Sequence, residues 1–141
     1  MRVLRPIAPV GRSTRDEVER IVHVPDTLYP WMFHYDEDDF IIAENQSYSD
    51  QVCHAISDFV DDIRNLHKLQ RLLATWPNIT ANYPNYPIGY GFNATCAEYI
   101  GGGHVTIKSL YSMFSTVTVS EPEFLRAVTE FRDFLSAREE G

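Results

Sequence analysis

Between residues 50 and 75 the apolar side chains fall at helical spacing, and no other stretch constrains the fold as strongly. Val52, Ile56, Phe59, Ile63, Leu66 and Leu73 recur at intervals of three, four or seven, and Val60, Leu69 and Leu72 widen the stripe. Residues three and four apart share a helix face, so the pattern predicts an amphipathic helix of about 25 residues. Ser47 or Ser49 can cap it, Asp50 suits the positive end of the helix dipole, and Pro77 is expected to stop it.

Such a helix needs an apolar surface to cover, and its flanks read as β structure. Residues 17–24 alternate as a strand does, and Pro25 ends them. Tyr29-Pro30-Trp31-Met32-Phe33 is an aromatic cluster, either strand or packed loop. Residues 36–39 form a polar turn, and Phe40-Ile41-Ile42-Ala43 suits a central strand. Residues 76–90 hold three Pro, three Asn and three Tyr, which favours an ordered loop. Residues 92–100 can be a strand, Gly101-Gly102-Gly103 a hairpin turn, and residues 104–108 and 111–119 are β-rich. Ser120-Glu121-Pro122-Glu123 is a capping box, with Phe124, Leu125, Val128, Phe131 and Leu135 on one face of the helix it opens. The expected fold class is α+β: a mostly antiparallel β-sheet with a long central helix and a C-terminal helix packed on one face.

The chain has 141 residues, 44% of them hydrophobic, which suits a single domain over 1–141 that can bury a sizeable core. Residues 1–16, rich in Pro and Arg, are expected to be a loosely ordered arm. No apolar run approaches the ~20 residues of a membrane span, and the first residues lack the apolar stretch of a secretory signal. Cys53 and Cys96, the only cysteines, cannot make a disulfide framework, so a reducing cytoplasm is the expected compartment. Three Asn-x-Ser/Thr triplets, beginning at Asn45, Asn78 and Asn93, are then coincidental.

The formal net charge is −8, and its distribution says more than its size. Residues 1–35 hold five arginines against four acids, and residues 63–141 are balanced at seven each. Residues 36–62 hold nine acids and no Lys or Arg. A concentrated imbalance can make one strongly negative surface, whereas a scattered one affects only solubility. Nucleic-acid binding through a basic face is disfavoured. On the predicted helix Asp50, His54, Asp58 and Asp61 follow at intervals of four, four and three, with Asp62 beside them. Like charges at these spacings cost a few tenths of a kcal/mol each, and mid-helix aspartate is a poor helix former. A face that meets a basic partner would account for them. Asp36, Asp38 and Asp39 lack the Gly and late Glu of a calcium loop and are assigned to the same surface. In the loop that follows, Tyr83 and Tyr86 are candidate anchors, since tyrosine gives large contact area at low entropic cost.

Catalytic patterns are weak. The five histidines are dispersed, and neither Cys-x-x-Cys nor His-Glu-x-x-His occurs, so no metal site is expected. Cys53 and His54 are helix neighbours and point about 100° apart, so they cannot serve each other as nucleophile and base. A Cys96–His104 pair across the hairpin is geometrically possible. Gly89, Gly91 and Ala94 match a dinucleotide-binding pattern by letters, but Pro87 sits where its strand should be and no helix follows. No catalytic residue, metal or cofactor is therefore assigned.

The expectation is a non-enzymatic inhibitor that neutralises a basic protein partner, in the manner of a bacterial immunity protein against a nuclease-type toxin. Asp50, His54, Asp58, Asp61, Asp62, Asp36, Asp38 and Asp39 would meet the partner's Lys and Arg, with Tyr83 and Tyr86 as anchors. One alternative is a nucleic-acid mimic that blocks a DNA-binding enzyme. Another is a small hydrolase or transferase using His54 or His104 with a carboxylate as general base. Direct contact with nucleic acid or membrane is not expected, and an exposed edge strand would allow a homodimer.

Overall fold

The polar turn after Tyr35 forms as expected. Asp36 Oδ1 accepts from the Asp38 and Phe40 amides at 2.8 and 2.9 Å, and Asp39 takes a left-handed φ of 69°. The turn joins β1 (Met32–Tyr35) to β2 (Ile41–Glu44) in an antiparallel hairpin with Phe33 opposite Ala43. The aromatic cluster is thus partly strand, with Trp31 buried just ahead of it. This computed structural model describes residues 29–140, with side chains through Arg138. The arm expected at 1–16 and the strand expected at 17–24 lie outside the described residues.

The long helix is two helices, α1 (Asp50–Ile63) and α2 (Leu66–Asn82). Ser49 caps α1, its side chain accepting from the Val52 amide. At the other end Arg64 turns left-handed, with φ 60°, and its N–H donates to the Val60 carbonyl. Asn65 then caps α2 by accepting from the Lys68 amide at 2.8 Å. Left-handed backbone is unfavourable for a side chain such as Arg. Here the Arg64 guanidinium holds Asp61 Oδ1 at 2.8 Å and also donates to the Asp39 carbonyl. The apolar stripe runs through this break in step, because Ile63, Leu66 and Leu69 keep their spacing of three. Periodicity alone could not reveal it.

Pro77 does not stop the helix; it lies inside α2, which continues to Asn82. Proline removes the N–H that would bond back to residue 73. Burial of Ile79 on the core holds the following turn in place. Thr80 Oγ1 and Asn82 Nδ2 donate to the carbonyls of Pro77 and Asn78, tying up that last turn. The predicted loop is accordingly shorter, and Gly89–Gly91 is a strand, β3.

The second sheet is a meander, β3 (Gly89–Gly91), β4 (Thr95–Gly101), β5 (His104–Ser109) and β6 (Val117–Ser120), each antiparallel to the next. Gly101, Gly102 and Gly103 all have positive φ, between 63° and 87°, so the triple glycine is the β4–β5 turn. The β-rich stretch from 111 yields strand only from Val117. Ser109 Oγ accepts from the Tyr111 and Met113 amides and closes a turn where a ladder would otherwise continue. Side chains alternate along β5 and β6, with Val105, Ile107, Val117 and Val119 buried.

The helices cover that buried face. α3 (Glu121–Glu140) begins where Ser120 Oγ accepts from the Glu123 amide at 3.2 Å. The capping box forms only in this half: the Glu123 carboxylate turns to Arg126 instead, at 2.8 and 2.9 Å. Phe59 of α1 meets Phe92 and Phe124, and Trp76 of α2 meets Phe124, so three helices and the sheet share one core. The β1–β2 hairpin joins it through Phe33 on Phe131. The architecture is α+β, with a four-stranded antiparallel sheet and a separate hairpin.

Candidate functional site

Strand β2 has one edge paired with β1, and its other edge is covered by side chains of α1. The Ile41 amide donates to Asp61 Oδ1 at 3.0 Å and the Ala43 amide to Ser57 Oγ at 2.8 Å. The match is geometric. One helical step of four residues rises about 6 Å, and two strand residues advance about 6.7 Å. Ser57 in turn donates to the Cys53 carbonyl at 2.7 Å, so the hydroxyl is saturated within the fold. The chain thereby covers an edge that would otherwise template further pairing.

Asp62 is also committed to the fold. Its Oδ2 accepts from the Ala94 amide at 2.9 Å, the Thr95 amide at 3.0 Å and Thr95 Oγ1 at 2.8 Å. One carboxylate oxygen thus ties the C-terminal end of α1 to the start of β4. Asp39 lies 3.8 Å from Arg64, and Asp61 shares that guanidinium. The run of acids therefore divides. Asp61 and Asp62 hold backbone amides of β2 and of the start of β4, Asp36 caps its own turn through Oδ1, and Asp39, itself exposed, lies against Arg64.

Asp36, Glu44, Asp50 and Asp58 line an open groove of about 540 Å³ between β2 and α1. Asp36, Phe40, Ile42 and Glu44 come from the hairpin; Asp50, Cys53, His54 and Asp58 come from α1; Met113 closes it from the β5–β6 connection. Its acids have neither Lys nor Arg beside them among the described lining residues. Phe40 and Met113 are 54% and 66% exposed, so the groove offers apolar surface as well as charge. Leu110 and Tyr111, both exposed, belong to the same loop as Met113.

His54 Nε2 stands 3.4 Å from Asp58 Oδ2, and the His54 ring leans on Phe114 at 5.9 Å. Burial pushes the Asp58 carboxyl above its ordinary value; His54 pulls it back, and the neighbouring charges of Asp61 and Asp62 add to the rise. Burial likewise raises the Cys53 thiol, with Asp50 and Glu44 adding to the effect. The thiol faces the Asn45 carbonyl at 3.6 Å, so this is not an activated nucleophile.

Asp38 is an exposed turn residue beside the groove, outside its lining. The expected alliance of acids and tyrosines does not form. Tyr83 Oη donates to the Ile100 carbonyl at 3.0 Å, and the ring packs edge-on against Tyr99 over the glycine turn. Tyr86 is 92% exposed in the same loop. That turn and Met113 flank opposite ends of β5, a strand of six residues spanning about 20 Å. Glu44, Phe40, Ile42 and Met113 were not expected at the site. The exposed Phe40 beside an acidic turn was a usable signal; nothing local marks Met113, whose place depends on a fold contact more than 50 residues away.

A second charged cluster is structural. Glu123, only 8% exposed, holds Arg126, which also reaches Glu130, while Glu130 Oε1 accepts from the Trp31 amide at 2.7 Å. Tyr48 Oη and Trp31 Nε1 face Glu123 without reaching hydrogen-bond geometry. Burial, then the Glu123 carboxylate, raises the Tyr48 hydroxyl.

Among the described residues no group of three or more His, Cys, Asp or Glu is placed to hold a metal, and both cysteines are free. No described helix is long and apolar enough to cross a membrane. No protein-family model matches this chain, and neither a curated protein nor a solved structure matches it.

Proposed function

We propose that this chain is a non-enzymatic binding protein whose acidic groove takes up a basic, partly apolar segment of a protein partner and keeps that segment from its own substrate. A bacterial immunity protein acting on a nuclease-type toxin would work in this way. The observation that carries the reading is the groove lining: Asp36, Glu44, Asp50 and Asp58 around Phe40, Ile42 and Met113, with neither Lys nor Arg among the described lining residues. Complementary charge speeds encounter and selects the partner, and apolar contact supplies the slow dissociation. Asp61 and Asp62, which hold β2 and β4, act by shaping the groove. Tyr83 and Tyr86 belong to a different surface.

The test is capture from the native host's lysate with the wild-type chain, Asp50→Lys and the matched control Asp133→Lys on α3. A basic protein retained by wild type and control, lost with Asp50→Lys and weakened by salt is the expected result. A captured set unaffected by Asp50→Lys would refute the groove. Displacement of the captured protein by duplex DNA would instead make the chain a nucleic-acid mimic.

The His54–Asp58 contact favours one further reading, a small hydrolase or transferase with His54 as general base. Both side chains are more than a third exposed, and the nearest thiol is raised by burial. Turnover in a broad substrate panel that vanishes in His54→Ala would establish it.

A further inference from the structure

The groove lies beside the point where the described chain begins. Asn45 Nδ2 donates to the Tyr29 carbonyl at 3.0 Å, and its neighbour Glu44 lines the groove. Upstream, residues 2–15 carry Arg2, Arg5, Arg12 and Arg15 with no acid among them. Val3, Leu4, Ile7 and Val10 lie between these arginines. The segment is basic and apolar; the groove is acidic and apolar.

Reach does not limit the match. From Arg15 to Tyr29 an extended chain covers up to roughly 45 Å. The groove runs along a four-residue strand, about 13 Å long. A tether of this kind gives an effective concentration on the order of millimolar, so a contact too weak to detect between free molecules is still filled.

We propose that part of the segment 2–15 docks intramolecularly in the groove between β2 and α1 and competes there with the basic partner. This rests on the reading above, in which the groove accepts basic, partly apolar segments. The arm then acts as a built-in competitor. It shields Phe40 and Met113 when no partner is present, and only a partner that outcompetes a tethered segment gains entry. Raised salt weakens arm and partner together.

Cys53 lines the groove and Cys96 lies outside it in β4, so the full-length chain carries its own reporter and control. Alkylation by iodoacetamide, followed at each cysteine by mass spectrometry, reads the occupancy. Replacing Arg2, Arg5, Arg12 and Arg15 together by Ser should speed Cys53 modification at least threefold and leave Cys96 unchanged. A synthetic peptide of residues 2–15 added to that variant should slow Cys53 again, and protection in the wild type should not depend on protein concentration. Equal Cys53 rates in wild type and variant, with the peptide still protecting the variant, overturn the docked arm and leave the groove standing. Failure of the peptide to protect Cys53 at low salt overturns both. Protection that grows with protein concentration assigns the segment to a second copy and overturns the intramolecular form.

Discussion

Replacing Asp62 by Ala separates the acids that build the fold from those that face outward. The carboxylate Oδ2 holds three donors at 2.8 to 3.0 Å, two of them from Thr95, which is 1% exposed. Alanine leaves the Thr95 amide and hydroxyl buried without an acceptor. Each orphaned buried donor costs about 1–3 kcal/mol, while the half-buried Ala94 amide can recover water. Relief of like-charge repulsion from Asp58, four residues earlier, returns only a few tenths. The net loss is about 3 kcal/mol. With a urea m-value of about 2 kcal/mol per molar for a chain of this size, the unfolding midpoint falls by about 1.5 M at unchanged slope. Asp62→Asn keeps an oxygen in place but loses the charge, which roughly halves such bonds, so its midpoint should fall by about half as much. Asp58→Ala, measured alongside, should stay within about 0.5 kcal/mol of wild type, as surface substitutions do. The assay is equilibrium urea unfolding followed by circular dichroism. A midpoint shift below ~0.3 M for Asp62→Ala, or an equal shift for Asp58→Ala, would refute the division.

Three further outcomes follow from the geometry. Burial pushes the Glu123 carboxyl up, but the hydrogen bonds from Arg126 outweigh it and hold the group below its ordinary value. A carboxyl lowered in the fold adds stability above its unfolded value, near pH 4.3, and loses it as pH falls through the lowered folded value. The stability gap between wild type and Glu123→Gln should therefore be full above about pH 5 and close in acid; a gap constant from pH 7 to 3 would contradict it. Asp58 has the opposite sign: its raised carboxyl is destabilising once ionised, so Asp58→Asn should raise Tm slightly at neutral pH and lose that advantage below about pH 4. Ser57→Ala removes the acceptor for the Ala43 amide and should cost about 1–3 kcal/mol, with faster hydrogen exchange at Ala43 than in the wild type.

Both binding proposals depend on the same asymmetry. Neighbouring side chains on one face of α1 divide the duties: Ser57 and Asp61 satisfy the β2 amides, while Asp50, His54 and Asp58 line the groove beside them. The like charges on the helix are thus tolerated where Asp61 and Asp62 find donors. The remaining acids keep an unbalanced field at one place on the surface.

Much of the fold was legible because it is written at short range. The stripe from Val52 to Leu73, the turn at Asp36, the triple glycine and the Ser120 cap each act over a few residues, and each appears where the local pattern placed it. The break at Arg64, the helix running through Pro77 and the short strand at Gly89 were not legible. There long-range contacts override local preference: Asp39 and Asp61 steady the left-handed Arg64, and core burial of Ile79 carries α2 past a proline. The sequence by itself determined that the charge is concentrated in residues 36–62 and that an amphipathic helix crosses an antiparallel sheet. Only the tertiary structure decided which acids are available. Whether an aspartate meets a partner or a backbone amide depends on what the chain brings opposite it, and Ala94 reaches Asp62 from 32 residues away.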